Sequence, residues 1–135
     1  MFGIKIKDSK RSGGGSSFLS FDLRDILAAV GEPVFASRWR CRDLCYTAVR
    51  DGRFDEFREA RRKFTGEEMV QFAGSIHQTI DGRFEARGGG AAKRPWLVIL
   101  AVDSSWFEVW SSKREVLERV RARFEKVSDL PAAAA

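Results

Sequence analysis

Residues 95–110, PWLVILAVDSSWFEVW, constrain the fold of this chain more than any other stretch. Residues 96–102 are apolar without interruption, which is typical of a strand that is covered on both faces. The Asp-Ser-Ser sequence that follows indicates a tight turn, because Asp and Ser side chains hydrogen-bond to nearby backbone groups. A second, aromatic strand follows directly. So short a connection cannot cross over a sheet, so we expect the two strands to be antiparallel.

Helices are predicted where apolar residues recur at a spacing of three and four, or where a capping sequence precedes such a run. The first two are expected at residues 23–30, with Asp22 as the N-cap, and at residues 53–64. A third helix is expected to begin at a Thr65–Glu68 capping box. The last is expected to begin at a Ser112–Glu115 capping box and to bury residues as far as Val127. Gly31 is expected to end the first helix, because glycine adopts the left-handed conformation at helix ends.

Further strands are predicted on either side of these helices. Residues 2–6 alternate between apolar and other residues, as a short strand does. Residues 34–46 fit either a strand or a helix. Residues 78–86 indicate strand, and Asp81-Gly82 in their middle signals either a hairpin turn or a bulge.

These patterns predict one α+β domain with an antiparallel sheet of three to five strands and three or four helices. Residues 1–17 are expected to form an N-terminal strand and a flexible, basic Gly/Ser-rich loop, so that this strand is only loosely attached. Residues 18–130 would form the domain itself. Residues 131–135 are expected to be a disordered tail, because four alanines follow Pro131.

The charge of the chain is moderately basic, with a net charge of +5 and a sequence pI of about 9.6. Nucleic acid, an anionic surface and an acidic protein are all compatible partners. No membrane association is expected, because the longest apolar run falls far short of the ~20 residues of a membrane-spanning helix. Two cysteines and no export signal predict a cytoplasmic protein.

Arg38, Arg40 and Arg42 are the most suggestive polar residues. If their segment is a strand, the three guanidinium groups line one face at intervals of about 7 Å. That interval is close to the phosphate spacing of a single nucleic-acid strand. The alternative is that these arginines pair with acidic residues of the same chain or remain solvated.

The second candidate binding site lies on the strand after the turn. Trp106 and Trp110 share one face of that strand with Glu108 between them, whereas Phe107 and Val109 share the other. If helices cover one face of the sheet, the tryptophans lie on the face that needs a further cover or a partner. Burial under other helices of the chain is the alternative.

No catalytic residue, cofactor or metal site is predicted. His77 with Asp103 and Ser104 or Ser105 contains the residue types of a catalytic triad, but the Asp-Ser-Ser sequence has a sufficient explanation as a turn. Cys41 and Cys45 would lie about 13 Å apart along a strand, too far for a disulfide or a shared metal. A zinc site would need two more nitrogen or sulfur ligands, and the chain has one histidine.

The function expected from these observations is that of a small, non-enzymatic protein-binding or regulatory module. Its partner would be another protein, or a second copy of this chain. A nucleic-acid-binding protein that uses Arg38, Arg40 and Arg42 is the alternative. An enzyme acting through His77 and the Asp103 turn comes third.

Overall fold

The computed structural model describes residues 1–11, 14–15, 17–48, 62–88 and 93–133. Within these ranges the chain forms nine strands and three α-helices. The strands are β1 (Phe2–Ile6), β2 (Ser9–Arg11), β3 (Ser17–Leu19), β4 (Arg38–Ala48), β5 (Phe64–Thr65), β6 (Ile76–Arg87), β7 (Leu97–Val102), β8 (Trp106–Ser111) and β9 (Val127–Leu130). The helices are α1 (Leu23–Val30), α2 (Gly66–Ser75) and α3 (Arg114–Arg121), with a short 3-10 turn at Glu32–Val34.

Seven of these strands form one antiparallel sheet in the order β5-β4-β6-β7-β8-β1-β9. β2 and β3 pair as a separate two-stranded sheet. The fold is α+β, but the prediction of three to five strands is wrong. The sheet is larger because β5 and β9, which begin in segments expected to be helical, add a strand at each edge.

β1 is attached to the sheet on both of its edges. It lies between β8 and β9 and is hydrogen-bonded to both, with Ile4 and Ile6 fully buried. It is therefore an inner strand rather than a loosely attached one. The segment behind it, expected to be a flexible loop, contributes β2 and β3.

The last predicted helix is too long. α3 ends at Arg121, and Val127 belongs to β9 instead. The carboxylate of Asp8 accepts hydrogen bonds from the backbone N–H groups of Glu125 and Lys126 just before β9. The helical pattern at residue 127 is overridden by pairing with β1, which lies more than a hundred residues earlier in the chain.

The three helices pack on one face of the sheet and enclose the hydrophobic core with it. Trp39 and Cys41 of β4 and Phe84 of β6 are fully buried in this core. The indole N–H of Trp39 donates to the carbonyl of Val34 at 3.0 Å, so this buried polar group is satisfied. The ambiguous segment 34–46 is thus mainly strand, after a single 3-10 turn.

The predicted helix starts have different outcomes. Thr65 caps α2 as expected: its hydroxyl accepts from the N–H of Glu68, whose carboxylate accepts from the N–H of Thr65. Ser112 is not the N-cap of α3, because its N–H donates to the carbonyl of Trp96 and the helix begins one residue later than expected. Gly31 ends α1 with a φ of 79°, as predicted.

Asp81-Gly82 does not form a hairpin. β6 continues through both residues, and the irregularity lies instead in its pairing with β4, whose register shifts between Arg42 and Cys45. The extra residue on β4 is accompanied by a φ of 51° at Asp43, as in a bulge. The predicted helix at 53–64 lies outside the described residues apart from its last positions, where Phe64 is in β5.

Candidate binding surface

The sheet face that points away from the helices carries both sets of candidate binding residues. We call this surface the Arg–Trp face. Its members from β4, β6, β7, β8 and β1 are Arg38, Arg40, Arg42, Arg83, Glu85, Arg87, Val98, Leu100, Val102, Trp106, Glu108, Trp110, Gly3 and Lys5. Val98, at the centre of this surface, is itself buried, with 2% of its surface exposed. Among the described residues no helix packs on this face.

The register arranges these side chains in rows across the strands. One row runs Arg40, Glu85, Val98, Trp110, Gly3. Side chains on the same face of neighbouring strands lie about 5 Å apart, so this row reaches from an arginine through an aliphatic side chain to a tryptophan within about 20 Å. The two candidate sites of the sequence are therefore two ends of one surface.

At the arginine end, β6 adds Arg83 and Arg87 to the three arginines of β4. The carboxylate of Glu85 is buried among them and lies 2.9 Å from Arg83 Nε and 3.3 Å from Arg42 Nε. Arg87 is more distant, at 3.8 Å. Three of the five guanidinium groups at this end thus lie within ion-pair distance of a single carboxylate.

Two of the cross-strand pairs at this end have like charges. Arg38 lies directly opposite Arg87, and Arg42 directly opposite Arg83. Like charges in such positions destabilise a sheet, whereas opposite charges stabilise it. Glu85 offsets part of this repulsion, because it lies within ion-pair distance of Arg42, Arg83 and Arg87.

The middle of the face is aliphatic. Val98, Leu100 and Val102 alternate along β7, and the last two remain partly exposed. This strip separates the arginines of β6 from the tryptophans of β8, which lie about 10 Å away across two strand spacings.

At the tryptophan end, Glu108 organises both indole rings. Its two carboxylate oxygens accept the indole N–H groups of Trp106 and Trp110, each at 3.0 Å. The ammonium of Lys5 lies 4.1 Å from the ring centre of Trp106, a cation–π contact. Both rings are only partly exposed. The pair is therefore a fixed, preorganised element of the surface.

Trp110 lies flat on the sheet because its neighbour on β1 is Gly3. A Cβ added to Gly3 would lie 2.5 Å from the nearest ring carbon of Trp110, closer than non-bonded carbon atoms approach each other. Glycine is thus required here for close approach.

Sequence reasoning missed several members of the Arg–Trp face. Arg83, Glu85 and Arg87 alternate along β6 after Asp81-Gly82. A period of two places these three side chains on one face whether Asp81-Gly82 is a hairpin turn or a bulge, so this signal was present in the sequence. No local signal could have brought Gly3 beside Trp110, since that contact depends on long-range pairing.

The residues considered for catalysis are not brought together as a triad. Asp103 and Ser104, with φ of 50° and 58°, occupy the two central positions of the β7–β8 turn. Ser105 Oγ donates to the carbonyl of Asp103. His77 is exposed on β6, and no hydrogen bond between its side chain and this turn occurs in the described residues. The turn prediction is confirmed.

The two cysteines lie on opposite faces of β4. Cys41 is buried in the core beside the sulfur of Met69, and burial raises the pKa of its thiol to about 12. Cys45 is exposed on the Arg–Trp face, since the bulge places it opposite Asp81. In the described part of the chain, no three His, Cys, Asp or Glu side chains are grouped as metal ligands.

No protein-family model, curated protein or solved structure matches this chain. No helix of the described residues is long and apolar enough to cross a membrane.

Proposed function

We propose that this chain is a non-enzymatic module that binds an acidic protein partner on the Arg–Trp face. The observation that carries the proposal is the row Arg40, Glu85, Val98, Trp110, Gly3, which places a cationic and an aromatic end on one continuous surface. Arginine and tryptophan are the residue types that most often dominate the binding energy of protein interfaces. The aliphatic strip between them supplies apolar area that a partner can bury.

Single-stranded nucleic acid fits this surface less well. A nucleic-acid strand crossing from β4 to β8 would bring its phosphates to the carboxylates of Glu85 and Glu108. The ring of Trp106 is already in contact with Lys5, so a base could not stack on that side. A protein surface can instead place carboxylates over the arginines and apolar groups over Leu100, matching each region separately.

We place this binding in the cytoplasm. The two thiols are free and lie on opposite faces of β4, so they cannot form a disulfide with each other. This is in keeping with a reducing compartment.

Cys45 offers a direct test, because its exposed thiol lies on the proposed surface. A photo-crosslinker attached to Cys45 is activated in cytoplasmic extract of the source cell. The same is done with Arg40→Glu and with Arg123→Glu, a matched control whose arginine is exposed behind α3 on the opposite side. We expect one protein adduct for the unchanged chain and the control, and its loss in Arg40→Glu.

Each other outcome contradicts the proposal. An adduct that persists in Arg40→Glu would show that the arginines are not part of the interface. An adduct removed by nuclease would favour the nucleic-acid alternative. An adduct of twice the mass of this chain would identify the partner as a second copy, which five facing arginines disfavour.

A further inference from the structure

The arginine end of the Arg–Trp face carries more positive charge than its own carboxylate neutralises. Glu85 takes Arg42, Arg83 and Arg87 as ion-pair partners. Arg38 and Arg40 have no carboxylate within ion-pair distance among the described residues. The uncompensated charge is therefore concentrated at one end of β4.

Arg38, Arg40 and Arg87 form a triangle at that end. Arg38 is directly opposite Arg87, and Arg40 is two residues further along the same face of β4. The Nε atoms of Arg40 and Arg87 are buried without a hydrogen-bond acceptor in the described structure, and Oε1 of Glu85, directly opposite Arg40, is buried without a donor. A buried donor without an acceptor costs free energy, so an acceptor that reaches these atoms would be bound favourably.

From this geometry we infer that Arg38, Arg40 and Arg87 form a subsite for a single carboxylate of the partner, an Asp or Glu side chain. The inference rests on the proposed function and specifies which group of the partner the arginines hold. A guanidinium group presents its N–H donors in a planar fork that matches the two oxygens of a carboxylate. The carboxylate would accept from Arg40 and Arg87 after small side-chain rotations and would neutralise the facing charges of Arg38 and Arg87.

The experiment uses the Nε–H signals of arginine in nitrogen-15 NMR spectra, which report on hydrogen bonding at those atoms. Arg40→Lys and Arg87→Lys identify the two signals by their disappearance. The probe is a peptide in which glutamate alternates with glycine, and its counterpart with glutamine is the control. We expect the glutamate peptide alone to shift both signals downfield.

Affinities measured in the same titrations provide the second readout. Arg40→Gln should weaken binding of the glutamate peptide by about tenfold or more, since it removes one side of a charge-assisted pair. Arg123→Gln, on the opposite side of the molecule, should leave the affinity unchanged. Arg40→Lys should give an intermediate affinity, because lysine keeps the positive charge but lacks the planar set of N–H donors of a guanidinium group.

Several results would overturn the inference. Equal shifts with the glutamine peptide would remove the role of the carboxylate, and equal losses in Arg40→Gln and Arg123→Gln would make the attraction nonspecific. Unmoved signals, with the Cys45 adduct still lost in Arg40→Glu, would reject the subsite and leave the proposed function intact. Tighter binding of a single-stranded oligonucleotide at the same salt concentration would contradict both proposals.

Discussion

Gly3 lies beneath the indole ring of Trp110, and the Arg–Trp face depends on this contact. Changing Gly3→Ala would force the ring away from the sheet, because the new Cβ would lie 2.5 Å from it. We expect a loss of about 1–3 kcal/mol in the free energy of unfolding, the usual cost of overpacking. Urea denaturation followed by tryptophan fluorescence measures this change.

Gly74 provides the matched control for this substitution. It lies in α2, and a Cβ added there meets no atom within 4 Å. Gly74→Ala should therefore stabilise the protein, by up to about 1 kcal/mol, since alanine is the better helix former. Equal effects of the two substitutions would show that Trp110 does not rest on Gly3.

The burial of Cys41 makes the free energy of unfolding depend on pH in the alkaline range. Burial raises the pKa of its thiol to about 12, above the value of 9.0 for an unperturbed thiol. As the pH rises, the thiol of the unfolded chain therefore loses its proton before the thiol of the folded chain does. The contribution of the protonated thiol to the free energy of unfolding is complete below pH ~9. It is lost as the pH rises towards 12, by about 1.4 kcal/mol per pH unit. Denaturation at several pH values, compared with Cys41→Ala, measures it. Parallel pH profiles of the two proteins would contradict the burial of Cys41.

At the scale of elements, the start of α2 depends on contacts between residues that are close in sequence, Thr65 and Glu68. Thr65→Ala removes the hydroxyl that accepts from Glu68 N–H at 3.1 Å. We expect a loss of about 1 kcal/mol in the free energy of unfolding. Ser112→Ala should change it by less than about 0.5 kcal/mol, because Ser112 does not cap α3. A larger effect at Ser112 than at Thr65 would reverse this assignment of the helix starts.

Elements fixed by local chemistry were predictable from the sequence, and those fixed by distant partners were not. The Thr65 cap, the end of α1 at Gly31 and the turn at Asp103 each depend on a few neighbouring residues. β9 escaped prediction because its strand conformation depends on pairing with β1 at the other end of the chain. The same long-range pairing explains why the number of strands was predicted too low.

At the scale of the whole molecule, the sequence identified parts of the candidate surface without their relationship. The period of two placed Arg38, Arg40 and Arg42 together, and likewise Trp106 and Trp110. That both groups share one face follows from the order and register of β4, β6, β7 and β8, which no local pattern contains. The arginine and tryptophan sites, which were alternatives in the sequence analysis, therefore lie on the same face of the sheet.

The central claim is that Arg38 and Arg40, the two arginines of the Arg–Trp face without an ion-pair partner among the described residues, serve a partner and are not needed for folding. The free energy of unfolding of Arg38→Glu tests it most directly, because Arg38 is exposed, faces Arg87 and has no carboxylate partner among the described residues. Converting a like-charge cross-strand pair into an opposite-charge pair should raise the stability by up to about 1 kcal/mol. A loss of more than about 1 kcal/mol would contradict the claim, since it would show that Arg38 stabilises the fold.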